Sequence, residues 1–310
     1  MATPDISEIA AGFAAGFAAA GCDGALHILD LTTGAEVGFE ADRPVVPASV
    51  FKVLVALEFY ARAAEGEIDP AKQVDLRPAV VTPGPVGISN FQDPLRLSLR
   101  DLVRMMLTLS DNAATDLLIG RLGLDAINAR AVSCGCRETR IVSDLKTMLD
   151  TMAVELEFRN YAELLAAQAG KLGPAAQAGS VDPARIAAVA ALDPARGSRT
   201  TARDMTTLLA AVWNDTAALP PACAMLRDVM GQQVTRRLEA AVPDGGALAA
   251  KSGALFGRVR NEVGVITWPD GSRYAVAVFT HAHAPFAGAA AINAQMARAV
   301  KSGIEALWAA

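Results

Sequence analysis

Ser49 and Lys52 are the residues in this chain whose types and spacing first suggest covalent chemistry. They open the run Pro47-Ala48-Ser49-Val50-Phe51-Lys52-Val53-Leu54-Val55-Ala56-Leu57-Glu58-Phe59-Tyr60, which is almost wholly apolar. The run is too long for an ordinary strand and suits a buried helix. A serine at the start of such a helix meets free backbone N–H groups and the positive end of the dipole. Lys52, three residues on, shares its face and is the only cation in the run. Burial penalises an ammonium group, so a lysine held there favours the neutral amine. A neutral amine beside a serine hydroxyl can take its proton and make it a nucleophile. The same pair also suits a capping serine and a lysine that snorkels to solvent.

A second Ser-x-x-Lys match, Ser143-Asp144-Leu145-Lys146, precedes a mixed, polar segment. Context favours the first match. Ser49-x-x-Lys52 is followed by Ser110-Asp111-Asn112 and then by Lys251-Ser252-Gly253.

The elements that must position these residues are legible from pattern. Ile6, Ile9, Phe13 and Phe17 after Pro4-Asp5 give an amphipathic first helix. Residues 25–31 and 35–39 form a hairpin around Thr32-Thr33-Gly34. Residues 64–98, rich in proline and glycine, read as an irregular surface segment. Ser98 and Asp101 cap a helix whose core stripe is Leu102, Met105, Met106 and Leu109. A further helix runs from Ala113 to Leu122 and ends at Gly123. Residues 124–200 are mostly helical, broken by Pro174, Pro183 and Pro194, and helices follow over 200–213 and 222–240. Strands return at 246–253, 258–267 and 274–280, with Pro269-Asp270-Gly271 as a turn, before a last helix from about Gly288.

Strands at both ends with helices between them imply an α+β fold. The expected architecture is one antiparallel sheet flanked by the terminal helices, made from residues 1–47 and 225–310. Residues 48–224 form a mainly helical part.

The 310 residues are 52% hydrophobic with a net charge of −5 and no basic patch, which argues against nucleic acid. No apolar stretch reaches the length of a membrane span without polar interruption. Ala19-Ala20-Gly21-Cys22 loosely resembles a lipoprotein cleavage site, but Met1 to Glu8 carries two acids and no cation. That charge pattern favours the cytoplasm, with export as the alternative. Cys22, Cys134, Cys136 and Cys223 are expected as reduced thiols, and no metal or cofactor is called for. His281 and His283 share one face at a strand end, where solvation is the default reading.

With its three motifs in this order, the chain resembles the penicillin-recognising serine hydrolases, and class A β-lactamase-like proteins in particular. Asp30-Leu31-Thr32-Thr33-Gly34 and the Thr200-Thr201…Met205 helix entry extend the resemblance over nearly the whole chain. It implies a β-lactamase-like fold with the active site between the sheet part and the helical part. It also implies that Ser49 is acylated, Lys52 is its base and Ser110 relays a proton to the leaving group. Asn112 would hydrogen-bond substrate or Lys52, and Lys251 would add positive potential that keeps Lys52 neutral. Ser252, Gly253 and Ala254 would bind substrate, Ser252 through a carboxylate. The backbone N–H groups of Ser49 and Ala254 would form the oxyanion hole. Arg258 and Arg260 on the next strand suit either a carboxylate or structural ion pairs.

The departures are as informative. The Glu-x-x-Leu-Asn segment whose glutamate frees the acylated serine in class A enzymes does not occur here, and Leu145 falls where that glutamate is expected. Glu155, Glu157, Glu163 and Asp182 lack the required neighbours and read as solvated helix residues. Phe91 could replace the family's aromatic beside the substrate. The expectation is a serine/lysine acyl-enzyme hydrolase (amidase, esterase or acyl transferase) for a small amide or ester, with or without a carboxylate. The alternatives are a true β-lactamase or D-alanyl-D-alanine peptidase, and a non-catalytic ligand-binding relative.

Overall fold

The computed structural model describes residues 6–168 and 182–309. Helix α1 (Ile6–Ala19) leads into strand β1 (Cys22–Asp30), and the chain turns back as β2 (Glu36–Phe39). Asp30 builds that turn by accepting from the Thr32 N–H at 2.7 Å and the Thr33 hydroxyl at 2.8 Å. A short 3₁₀ turn, Ala48–Phe51, then runs into α2 (Lys52–Ala64). Every α2 residue from Lys52 to Ala61 is buried. A helix buried on all sides belongs at the centre of its domain. Its one acid, Glu58, is held by Arg62 at 2.7 Å and Arg130 at 2.9 Å.

Residues 64–98 depart from the irregular segment expected. Strands β3 (Gln73–Leu76) and β4 (Leu95–Ser98) pair antiparallel, from Gln73 opposite Ser98 to Leu76 opposite Leu95. Four residues are too few for an alternating pattern to stand out, and the partners are far apart in sequence. Ser98 caps α3 (Leu99–Thr108) by accepting from the Asp101 N–H, as its spacing predicts. Leu102 and Met106 are buried, whereas Leu109 lies past the helix end and is 38% exposed.

Helices α4 (Asn112–Leu122) and α5 (Leu124–Ser133) follow, separated by Gly123 with φ at +83°, a conformation that favours glycine. Then come α6 (Leu145–Glu155), α7 (Tyr161–Gln168), α8 (Pro183–Ala187) and α9 (Ala202–Trp213). Pro174 lies outside the described residues, and Pro183 opens α8 rather than breaking it. Helix α10 (Pro220–Met230) ends earlier than the expected 222–240 helix, and a 3₁₀ turn at Glu239–Ala241 follows.

Strands β5 (Ala247–Leu255), β6 (Val259–Thr267) and β7 (Arg273–Ala282) complete a five-stranded antiparallel sheet of order β2-β1-β7-β6-β5. Helix α11 (Ala289–Ala309) closes the fold. Side chains alternate between faces along each strand. On one face Leu26, Ile28, Val276 and Val278 meet Phe13 and Phe17 of α1 and Met296 and Val300 of α11. On the other, Ala25, Val263, Ala277 and Phe279 join the larger core of α2, α3, α4 and α9. The terminal helices thus cover one face and the helical part the other, the α+β architecture implied by element order. Each large aliphatic or aromatic side chain so buried contributes roughly 1.5–3 kcal/mol. Truncating Leu57 at the centre of α2 to alanine should cost about 2–5 kcal/mol.

All four cysteines are free and buried. Among the described residues no cluster of His, Cys, Asp and Glu could hold a metal ion, and no helix is long and apolar enough to cross a membrane.

Candidate active site

Three chain segments meet at the end of the sheet. The first is the 3₁₀ turn carrying Ser49. Asn261, fully buried on β6, fixes its entry by donating to the carbonyls of Val46 at 2.9 Å and Pro47 at 3.2 Å. Ala48 has φ at +46°, a left-handed conformation costly for a residue with a Cβ, immediately before the serine. Ser49 is half-buried and lines a cavity of about 290 Å³.

Lys52 begins α2 one turn later and is fully buried. Its Nζ donates to the Ser110 carbonyl at 2.8 Å, to Ser110 Oγ at 3.3 Å and to Asn112 Oδ1 at 3.0 Å. An ammonium group uses all three acceptors. A neutral amine keeps two and turns its lone pair to a hydroxyl. Burial pulls the Lys52 pKa down to about 7, against the opposing charges of Asp111 and Asp116. Among the described residues Ser49 Oγ makes no hydrogen bond, and such contacts often tighten only when substrate binds.

The second segment is Ser110-Asp111-Asn112. Ser110 has φ at +66°, and from that bend both its carbonyl and its hydroxyl reach Lys52. Asp111 is buried and caps α4 by accepting from the Ala114 N–H at 3.0 Å. Its other oxygen accepts from the Ile88 N–H at 2.7 Å, which ties the 84–90 loop to the helix start. Gly87 is required there, because an added Cβ would stand 2.0 Å from Asp111 Oδ2. Asn112 donates to the Pro83 carbonyl at 3.2 Å while accepting from Lys52.

The third segment is β5. An added Cβ at Gly253 would stand 2.9 Å from the Pro47 carbonyl and 3.1 Å from Ser49 N, so glycine lets the strand lie directly against the serine turn. Ala254, the next residue, lines the cavity. Lys251 is fully buried, and its Nζ donates to the Ser252 carbonyl at 2.9 Å. Burial, then repulsion from Lys52 and Arg237, lowers the Lys251 pKa well below the usual lysine value. Ser252 accepts from Gln233 Nε2 at 2.6 Å and does not line the cavity.

The far wall is α6 and the loop before it. Leu145 is buried and lines the cavity. Its N–H and that of Lys146 both donate at 2.8 Å to Asp116, which also accepts from the Thr82 hydroxyl at 2.6 Å. One carboxylate thus joins α4, the 82 loop and the Leu145 wall. Lys146, the lysine of the second Ser-x-x-Lys match, is exposed and pairs with Asp150 at 2.5 Å, while Ser143 lines the cavity.

Other acids and cations lie elsewhere. Glu155 pairs with Arg196, Glu157 with Arg185 and Glu163 with Arg159, and Asp182 caps α8. Arg260 donates to Asn293 at 3.1 Å, and Arg258 to the carbonyls of Ala282 and His283. Phe91 is 47% exposed and does not line the cavity, whose aromatic members are Phe51, Tyr161, Phe256 and Phe286. Sequence reasoning passed over Asn261 and Asp116. Asn261 stands between Arg260 and Glu262 at the polar start of β6, so nothing local set it apart.

Comparison with known proteins gives the same picture. The model of the beta-lactamase enzyme family matches residues 6–304. The beta-lactamase regulatory protein BlaB of Streptomyces cacaoi is 32% identical over 300 residues, covering 91% of this chain and 92% of that protein. A solved β-lactamase from Sphaerobacter thermophilus superimposes with a TM-score of 0.72 at 26% identity, over 96% of each chain. A point mutant of PBP-A, solved as an acyl-enzyme complex with penicillin G, shares the fold with a TM-score of 0.73 at 20% identity, over 98% of this chain and 99% of that one. The chain therefore belongs to the beta-lactamase enzyme family, as a serine hydrolase of the β-lactamase-like superfamily.

Proposed function

We propose that the chain is a serine/lysine acyl-enzyme hydrolase acting on a small amide or ester, with Ser49 as nucleophile and Lys52 as base. The observation that carries this reading is Lys52 itself. It is fully buried, anchored by Ser110 and Asn112, and half deprotonated near pH 7. Neutral Lys52 takes the Ser49 proton as Oγ attacks the carbonyl carbon. The oxyanion that forms is stabilised by the N–H groups of Ser49 and Ala254, on the two backbones that Gly253 lets approach. Lys52, through the Ser110 hydroxyl, returns the proton to the leaving nitrogen or oxygen, and the acyl-enzyme results.

The second half-reaction sets this chain apart from a fast β-lactamase. Support for this comes from the cavity wall, where Leu145 is one of the lining residues and, among the described residues, no acid is. Lys52 then serves again as base for water, or an amine acts as acyl acceptor. Intact mass after treatment with an activated ester tests the reading. The expected result is one acyl adduct on the native chain and none on Ser49→Ala. Equal labelling of both refutes it.

The name of the S. cacaoi relative favours a second reading, a ligand-binding relative without turnover. It gains if fluorophosphonate and penicillin probes both leave Ser49 unmodified. Rapid nitrocefin turnover would instead mark a true β-lactamase.

A further inference from the structure

We infer that the cavity beside Ser49 takes the acyl part of an uncharged, apolar substrate, such as a medium-chain or arylalkanoyl ester or amide, and discriminates against an acyl group that carries a carboxylate. This rests on the acyl-enzyme reading above and names its substrate class. The first observation is charge. Among the described residues, none that lines the cavity is Asp, Glu, Lys, Arg or His. The cations that could have met a carboxylate are turned to other partners: Lys251 onto the Ser252 carbonyl, Arg260 onto Asn293 and Arg258 onto the carbonyls of Ala282 and His283. The Ser252 hydroxyl is held by Gln233.

The second observation is lining and size. Leu145, Met148, Leu149, Leu255, Phe256 and Phe286 are among the large apolar side chains of the wall. Two of the polar side chains in the lining are engaged by the protein, while the Ser49, Ser143 and Tyr161 hydroxyls are neutral groups that offer a carboxylate no counter-charge. Asn112 is held by Lys52 and Pro83, and Ser198 Oγ accepts from the Val142 N–H at 3.1 Å. An apolar cavity of roughly 150 Å³ admits a benzene ring, so one of about 290 Å³ has room for about twice that carbon count. An ionised carboxylate placed there loses its hydration and gains no counter-ion.

The test measures pre-steady-state acylation of Ser49 by p-nitrophenyl acetate, butyrate and octanoate, and by mono-p-nitrophenyl suberate, whose chain matches octanoate but ends in a carboxylate. The expected second-order rate constant rises up to about fourfold per methylene from acetate to octanoate. Suberate should then react roughly tenfold or more slowly than octanoate. Met148→Trp fills the cavity and should collapse the octanoate-to-acetate ratio toward unity. A flat chain-length series, or suberate matching octanoate, with Ser49 labelled, overturns the cavity assignment alone. A ratio unchanged in a folded Met148→Trp chain overturns it as well. No Ser49 adduct with any ester refutes the acyl-enzyme reading instead.

Discussion

Lys52 offers the sharpest test of the chemistry. Its pKa falls from 10.5 to about 7 because the ammonium group is buried, with Asp111 and Asp116 opposing the fall. At pH 7 about half of the molecules then hold the neutral amine, whereas an unperturbed lysine would be neutral in about one molecule in three thousand. If the neutral amine is the base, the burst rate of p-nitrophenol release should rise about tenfold per pH unit below 7 and level off above it. Stopped-flow measurement between about pH 5 and 9, on a substrate whose own ionisation is silent there, records the limb directly. The perturbation is Asp116→Asn. Removing that negative charge takes away a stabiliser of the ammonium form, so the limb should move to lower pH. The variant must retain its melting transition, since Asp116 also holds Leu145, Lys146 and Thr82. A flat profile, a limb near the usual lysine value, or a limb that moves upward in Asp116→Asn would refute the assignment.

Four further outcomes follow from the geometry. Leu145→Glu places a carboxylate in the cavity wall and should shorten the acyl-enzyme lifetime about 10²-fold or more, read by the decay of the adduct mass; an unchanged lifetime means that lack of an acid at this wall does not limit turnover. Gly253→Ala drives a Cβ to 2.9 Å from the Pro47 carbonyl, so denaturant titration should show a loss of about 1–3 kcal/mol while acylation of Ser49 drops far more steeply. Lys146→Met removes an exposed pair with Asp150 and should leave acylation unaltered and stability within about 0.5 kcal/mol. Glu262 is fully buried and keeps its proton up to about 7 instead of 4.5, so the folded chain binds a proton that the unfolded chain has lost. Stability from this group is present below pH 4.5 and lost as pH rises to about 7. Glu262→Gln should cancel that loss, a difference on the order of 3 kcal/mol in unfolding free energies compared at the two pH values.

Much of the fold could be read because its signals are local. Ser98 with Asp101 announced α3, Gly123 the end of α4, and Asp30 with Gly34 the first hairpin. Each is a short-range hydrogen bond or a backbone angle that one residue type favours. The three motifs were legible for the same reason. What escaped depends on partners distant in sequence. Asn261 reaches back over two hundred positions to Val46 and Pro47. Asp116 ties together loops that precede and follow it, and nothing in its neighbours announces this. The β3–β4 pair joins strands of four residues across a long loop. Ser252 carries the motif's expected residue type, yet Gln233 decides where its hydroxyl is spent. Lys251 was legible from its motif, but its full burial near Lys52 and Arg237 depends on residues distant in sequence.

The uncharged lining of the cavity also bears on how a turnover ends. On the proposed reading, an ester or amide enters neutral. Hydrolysis leaves an acid that ionises well below neutral pH. Under the proposed hydrolase reading the new carboxylate forms at the carbon released from Ser49, beside Lys52, while only its chain lies against Leu145, Met148 and Phe286. Lys52, protonated once it has served as base for water, stands next to that carboxylate, so on this reading departure of the product and return of the base to its neutral form are coupled through one proton.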